Sequence, residues 1–466
     1  MKNKTLLILC ALFIAAYGAL AQVRTVKEAM SIAESFLSDK EGPSIRSSIG
    51  DKTLSVAYTS KSKLKSIPPK NNFYVFNRGG NNGFIIVSAD ERAIAVLGYS
   101  NEGRFDYDSL PPNFKGWLES YDEQIESLDN PQSYTTPADV QDLKEPSLRA
   151  SYPASVSPLI KTKWDQLEPY NLKCPSNSPT GCVATAMAQI MYYYQHPVKG
   201  TGSHSYTTTT NSYKLSANFG ETTYDWANML TDYDETATDA QKNAVATLMF
   251  HCGVAIDMDY AADGSSSTPY KIRERLSKYF GYSPGIALLS RDSWSHEGWI
   301  DILKYELSST PARPVLYWAN IWRDGDIYSV PHDIVCDGYD SSDKFHLNWG
   351  WGGYCNGFFE LSPLITGTYN MIGQHMLIGI QPVSGKPDTR FLSVSPEKEL
   401  AFGKGNENKI LKITSNSTWT VSTTHTTEWG GWGWLRVVPS SGLNNSMVIV
   451  TACPNKIGRA SCRERV

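Results

Sequence analysis

The chain of 466 residues is long enough for roughly two to four domains. With 43 Lys and Arg against 47 Asp and Glu, its net charge of -4 supplies no broad basic field, which argues against a nucleic-acid binder. Hydrophobic residues at 41% and aromatics at 12% argue against wholesale disorder, and 35 Gly, 26 Tyr and 13 Trp nearly exclude an all-helical protein.

Lys2 and Lys4 precede an apolar run from Leu6 to Ala16, and Ala19-Leu20-Ala21 offers a small-x-small cleavage site before Gln22. Residues 1–21 are therefore expected to be a secretory signal peptide, removed from the mature chain. Cys10 follows Leu9, where a lipoprotein signal wants a small residue, so no lipid anchor is expected. No later stretch reaches about 18 apolar residues, so the mature chain is expected to be secreted or held at the cell surface without a membrane span. Cys174, Cys182, Cys252, Cys336, Cys355, Cys453 and Cys462 remain, with no C-x-x-C pair to suggest a zinc ribbon or a thioredoxin-like site. Disulfides can form outside the cell, and the sequence assigns no pairing.

Residues 22–130 read as one compact unit. Helical spacing over Val26–Leu37 puts Ala29, Ile32, Ala33 and Leu37 on one face, and strands are expected at Asn72–Asn77 and Gly83–Ser88 around a Gly79-Gly80-Asn81-Asn82 turn. Trp117–Leu128 is a second amphipathic helix candidate. Residues 131–150 mix Pro, Ser, Thr and charge, a composition expected of an exposed linker open to proteolysis, with Lys144 and Arg149 as candidate cut sites.

Between 151 and 385 the texture changes to dense aromatics with many Gly and Pro turns. Cys182–Tyr194 is a breaker-free run of Ala, Met, Ile and Tyr, opened by Pro179-Thr180-Gly181 and closed by His196-Pro197, which predicts a buried helix. Pro314–Trp318, Asp333–Cys336 and Lys344–Asn348 are short and strand-like, and helices before strands suggest an α+β domain. From 391 to 455, Leu392–Ser395, Lys409–Thr414, Trp419–Thr423, Trp434–Val438 and Met447–Thr451 predict a small all-β sandwich. Residues 456–466, KIGRASCRERV, can be encoded by reading through a common sequencing adapter; they are expected to be a foreign tail on a truncated sandwich.

Cys182 stands at the start of the predicted helix, where unpaired backbone N–H groups and the helix dipole favour thiolate over thiol. Gly181 before it permits close approach of a substrate backbone. A small buried cysteine in an apolar helix would look the same. Gln166, in Trp164-Asp165-Gln166, carries an amide that can donate to a developing oxyanion together with the Cys182 N–H, although most such glutamines are plain loop residues. Of eight histidines, His332 stands out because it opens a strand and is followed by Phe345-His346-Leu347-Asn348-Trp349-Gly350-Trp351-Gly352-Gly353. In a hairpin, Asn348 or Trp349 would lie beside the His332 ring and hold its orientation. His346 reads as structural, and His196 and His375 as a helix terminus and a core edge.

Taken in order, TKWDQLEPYN, PTGCVATAMAQIMYYYQHP, TTYDWANM, CGVAIDMDY, PHDIVCDGYD and FHLNWGWGGYCNGFFEL resemble the streptopain-like cysteine peptidases (the C10 family), a branch of the papain-like clan. YVFNRGGNNGFIIVSADERAIAVLGYS is similar to that family's inhibitory prodomain, so the resemblance spans residues 22–380. It implies an α+β class: a papain-like catalytic domain at 151–385, an α+β prodomain at 22–130 and the C-terminal sandwich. The implied activity is that of a cysteine endopeptidase made as a zymogen, cutting protein or peptide substrates without metal or organic cofactor, with its own prodomain as intramolecular inhibitor.

Carried over by motif, Cys182 is the nucleophile, His332 the general base, and Gln166 with the Cys182 N–H the oxyanion hole. Trp349 would shield the histidine, ahead of Asn348 as the residue orienting it. The family's usual Gly-His-Ala reads Pro331-His332-Asp333 here, which puts specificity in question; Asp333 can raise the His332 pKa or constrain the S1 entrance, yet adjacent strand residues point to opposite faces. A family preference for an apolar P2 side chain makes Trp318, Tyr317 and the Gly264-Ser265-Ser266-Ser267 loop candidates for the groove. SVSPEKELAFG, ITSNSTWTVS and WLRVVPSSGLNNSMVIVTACPN resemble a BACON domain, frequent in secreted Bacteroidota proteins, which implies glycan or mucin binding or a spacer role, with Trp429 as an exposed-ring candidate and Trp419 and Trp434 as core. The rival readings are an inactive relative acting as a binding protein, an amidase on non-protein amides, and a carbohydrate-binding module with an inert passenger.

Overall fold

The computed structural model describes residues 23–41, 53–63, 70–129, 152–321, 330–361, 373–383, 392–395, 400, 402, 407–415, 417–422 and 435–452. The expected signal peptide, the 131–150 linker with Lys144 and Arg149, Trp429, Trp434, Cys453, Cys462 and the 456–466 tail lie outside the described residues. The chain divides into two compact units, residues 1–135 with 359–371, and residues 136–358 with 372–466.

In the first unit α1 (Val26–Glu41) buries Ala29, Ala33 and Leu37, a spacing of four that keeps one face on β3. β1 (Leu54–Lys61), β2 (Asn71–Arg78), β3 (Phe84–Ser88) and β4 (Val96–Ser100) pair antiparallel in chain order. β2 and β3 are buried at nearly every position because both of their faces are covered, by α1 and by α2 (Pro112–Ser127). α2 buries Trp117, Leu118, Tyr121 and Ile125, and the Tyr121 hydroxyl sits between the carbonyls of Leu97 and Glu360 at 3.1 and 3.0 Å. Lys70 and Arg92 each bridge Asp90 and Asp129, so the fully buried Asp90 has two cations against it.

The second unit begins with a long loop and then α3 (Cys182–Tyr194), the hairpin of β5 (Ser203–Thr207) and β6 (Lys214–Asn218), α4 (Asp239–Ala255), α5 (Tyr270–Phe280), β7 (Ala287–Ser290) and α6 (His296–Ser308). Next come β8 (Val315–Ile321), β9 (Val330–Tyr339), β10 (Phe345–Asn348), β11 (Gly357–Phe359) and β12 (Gln374–Ile378), which join β7 in the order β11-β10-β9-β8-β12-β7. α3 is apolar all round because it is the central helix: every residue from Val183 to Met191 is buried, with β8 and β9 on one side and α4 on another. Thr238 and Gln241 close a reciprocal capping box at the start of α4. The buried Arg313–Glu306 pair, 2.8 Å apart, ties α6 to the strand that follows, and Glu306 also accepts from the Gly379 N–H at 2.9 Å.

The predicted α3 and the strands now labelled β8, β9 and β10 are present, although β8 and β9 run several residues longer than their apolar cores. α4, α5 and α6 and the strands β5, β6, β7 and β12 add to the elements read from the sequence. At the C-terminal end β13 (Leu392–Ser395), β14 (Glu407–Ser415), β15 (Thr418–Thr420), β16 (Leu435–Val438), β17 (Ser441–Leu443) and β18 (Ser446–Ala452) form a four-stranded sheet, β13-β14-β18-β16, and the β15-β17 pair. Leu411, Ile413, Trp419, Val448 and Val450 make its core. Trp419 is buried and donates to the Asn444 carbonyl at 3.0 Å, so it offers no free ring to a sugar. Cys174, Cys182, Cys252, Cys336 and Cys355 are all free thiols. No helix among the described residues is long and apolar enough to cross a membrane.

Candidate active site

Cys182 is the first residue of α3, and Gly181 before it has φ +83 and ψ 142, a backbone region for which glycine is suited. A Cβ on Gly181 would come within 2.7 Å of Met258 Cε and 2.9 Å of the Ser265 carbonyl oxygen, so the 264–267 loop abuts the approach to the nucleophile. Gln166 is brought to the same place by the backbone: the Thr180 N–H donates to the Gln166 carbonyl at 2.9 Å, two residues before Cys182. Its side-chain amide makes no hydrogen bond among the described residues and is partly exposed.

His332 lies on β9 opposite Ala319 of β8 and is 4% exposed. Its Nε2 is 3.0 Å from the carbonyl oxygen of Trp349. A carbonyl only accepts, so Nε2 carries the proton and, in the neutral ring, Nδ1 is the free base. The ring stacks on Trp351 at 4.6 Å between centroids and, farther off, on Trp349 at 5.9 Å. The turn that carries both indoles needs left-handed backbone at Gly350, Gly352 and Gly353. A Cβ on Gly350 would lie 3.1 Å from Thr185 Cγ2, so glycine lets this turn settle on the first turn of α3.

Asn348 does something else. Its Nδ2 donates to the Thr162 carbonyl at 2.8 Å, and its Oδ1 accepts from Gln189 Nε2 at 3.2 Å and from the Gly350 N–H at 3.1 Å. These three bonds tie it to α3, the entry loop and its own turn, and the group hydrogen-bonded to the His332 ring is the Trp349 carbonyl rather than Asn348. The physical reason is register. Asn348 pairs with Val335, three residues along β9 from His332, and only the residues after the strand end curl back to the ring. Trp351 was not singled out from the sequence, because nothing local tells which indole of Asn-Trp-Gly-Trp-Gly-Gly folds over the histidine. His346 is held by Asp337 at 2.6 Å and His375 by the Gly373 carbonyl at 2.8 Å.

Asp333 faces the nucleophile. Its Oδ2 is 3.8 Å from Cys182 Sγ. In this structure the thiol's side-chain partner is Asp333, and no hydrogen bond joins Cys182 to His332. Burial, with the Asp333 charge second, pushes the Cys182 thiol up to about 12, which overrides the opposing pull of the helix N-terminus. Burial lowers His332 to about 4, against the raising effect of the Trp349 carbonyl. Burial raises Asp333 to about 8. Both shifts run in the direction of thiol and neutral imidazole rather than a thiolate–imidazolium pair.

The Peptidase C10 family pattern matches residues 164–359, and the Spi protease inhibitor pattern matches residues 21–125. Streptopain of Streptococcus pyogenes is 33% identical over 342 residues, which cover 67% of this chain and 81% of that protein. The chain belongs to the peptidase C10 family. This C10 peptidase is also 31% identical over 387 residues to the thiol protease/hemagglutinin PrtT of Porphyromonas gingivalis, covering 78% of this chain and 42% of PrtT, so it spans less than half of that relative's length. A fragment of prointerpain A from Prevotella intermedia superposes with a TM-score of 0.56 at 34% identity, over 71% of this chain and all of that one. The α+β class and papain-like C10 fold follow from that match, and the inhibitor-type domain precedes the peptidase domain in the chain.

Proposed function

We propose that the protein is an exported cysteine endopeptidase synthesised as a zymogen, hydrolysing peptide bonds with Cys182 as nucleophile, His332 as base and Gln166 as oxyanion donor. The observation that carries this reading is that Nε2 of His332 is committed to the Trp349 carbonyl, which leaves Nδ1 as the one ring nitrogen able to take a proton. Once Cys182 and His332 engage, Nδ1 accepts the thiol proton and Sγ attacks the scissile carbonyl carbon. The tetrahedral oxyanion is held by the Cys182 N–H and the Gln166 amide. The C–N bond breaks as His332 returns the proton to the leaving amine, leaving a thioester. Water then attacks the thioester, His332 takes its proton, and the carboxylic acid leaves as Sγ is released.

The Spi-type domain supports intramolecular inhibition lifted by a cut in the 131–150 linker. The Lys-and-apolar N-terminus supports export, to the medium or the surface of a bacterium related to those of its matched relatives. For the C-terminal strands the reading kept is a spacer rather than a glycan binder. The test is casein hydrolysis by purified precursor and by Cys182→Ala under reducing conditions, with intact mass followed over time and a trace of trypsin added if nothing happens. Loss of roughly 120–130 residues followed by casein degradation, in wild type alone, is expected. A wild type that stays inert after the linker is cut overturns the reading.

A further inference from the structure

Asp333 has no part in the reaction as written, yet it is 2% exposed and lies against the nucleophile. Its Oδ1 is buried with no hydrogen-bond partner, and no Lys, Arg or His forms an ion pair with it among the described residues. Elsewhere in this molecule buried carboxylates are matched: Asp90 by Lys70 and Arg92, Glu306 by Arg313. A buried carboxyl group left half-satisfied is costly, and such exceptions call for an explanation.

The surroundings supply one. Asp333 pairs in register with Trp318 of β8, so both side chains stand on the face of the sheet that packs on α3. Trp318 is stacked on His375 at 5.1 Å and meets Tyr270 edge-on at 6.0 Å. Tyr270 is 58% exposed, so an aromatic wall leads from solvent toward the carboxyl group. An acidic terminus behind an aromatic wall suits a long cationic side chain, whose methylenes lie on the rings and whose charge meets the carboxylate. In a reactive complex the scissile carbonyl carbon must sit about 3–3.5 Å from Sγ. With Oδ2 only 3.8 Å from that sulfur, the carboxyl group is within reach of the side chain of a residue next to the scissile bond.

We propose that Asp333, with Trp318 and Tyr270, forms a cation-selective subsite beside Cys182, and that the enzyme cuts peptide bonds flanked by Lys or Arg rather than sharing the apolar preference expected from its family. The bound cation takes the place at Oδ2 that the Cys182 thiol occupies without substrate. This inference rests on the peptidase reading above.

The test uses the full chain after the linker is cut, with fluorogenic peptides identical except for Lys, Leu or Glu at P1 or at P2, and rates normalised to the Cys182 thiol titrated by an alkylating agent. For wild type the Lys:Leu ratio of kcat/KM is expected to be about tenfold or more at one of the two positions. That ratio is expected to fall at least about tenfold in Asp333→Asn and in Asp333→Ala. A wild-type ratio near one at both positions overturns the proposal, and does so even if neither variant folds. Retention of the preference by folded variants also overturns it. Wild-type enzyme that titrates fully yet cuts none of the peptides overturns the peptidase reading itself, and the subsite with it.

Discussion

The carbonyl oxygen of Trp349 lies 3.0 Å from Nε2 of His332, and the indole of Trp351 covers the imidazole at 4.6 Å. Backbone therefore fixes the tautomer, while a side chain two residues on excludes water. These two roles separate by mutation. Trp351→Ala leaves the carbonyl in place but opens one face of the ring. Because burial is the main cause of the low His332 pKa of about 4, the variant should move that pKa upward toward 6.5. An NMR titration of the His332 ring checks this, and an unmoved pKa would show that Trp351 is not what desolvates the ring.

Asp333 makes the stability of the chain depend on pH. Burial raises its pKa from 3.8 to about 8, so folding favours the protonated carboxyl group. Its favourable contribution is complete below about pH 4 and fades as pH rises to about 8, at up to about 1.4 kcal/mol per pH unit. Asp333→Asn removes this slope. The Tm of the variant is expected to exceed that of wild type by a margin that grows between pH 4.5 and pH 7.5. A constant margin across that range would mean that Asp333 is already ionised in the folded protein.

Much of this site could be read before folding, and the reasons differ by residue. The helix that starts at Cys182 is legible because nine successive buried positions, Val183 to Met191, admit no breaker, and Gly181 and Pro197 punctuate its ends. The Cys, His and Gln candidates follow from side-chain chemistry and order in the chain. For Asn348 the sequence offers an amide after a histidine strand, which invites an orienting role, and does not show the three hydrogen bonds to Thr162, Gln189 and Gly350 that tie it to the loop. For Asp333 the sequence does not say what lies against it; only the packing of α3 on β9 puts Cys182 there.

Gly181 is predicted to tolerate no side chain. Alanine there must hold φ near +83, at a cost of about 1–3 kcal/mol, and its Cβ must displace Met258 and the Ser265 backbone. Met258 can shift its flexible end; the Ser265 carbonyl, 2.9 Å away, belongs to the loop that flanks the nucleophile. Gly181→Ala should therefore lower the Tm and slow alkylation of Cys182 together. A normal Tm with normal thiol reactivity would show that the loop yields freely.

The proposed oxyanion donor gives the sharpest kinetic test. The carbonyl of Gln166 is tied to the Thr180 N–H, so truncating its side chain leaves the backbone link to the nucleophile loop intact. An oxyanion donor contributes when charge develops in the transition state and little when substrate first binds. Gln166→Ala should then reduce kcat by about 10²–10³ with little change in KM. Gln166→Glu places an acceptor where a donor is required and should be at least as damaging. Equal thiol titration in wild type and both variants would confirm that the nucleophile itself is untouched. A rise in KM at constant kcat would instead assign Gln166 to ground-state binding, and the backbone N–H of Cys182 would then have to hold the oxyanion without it.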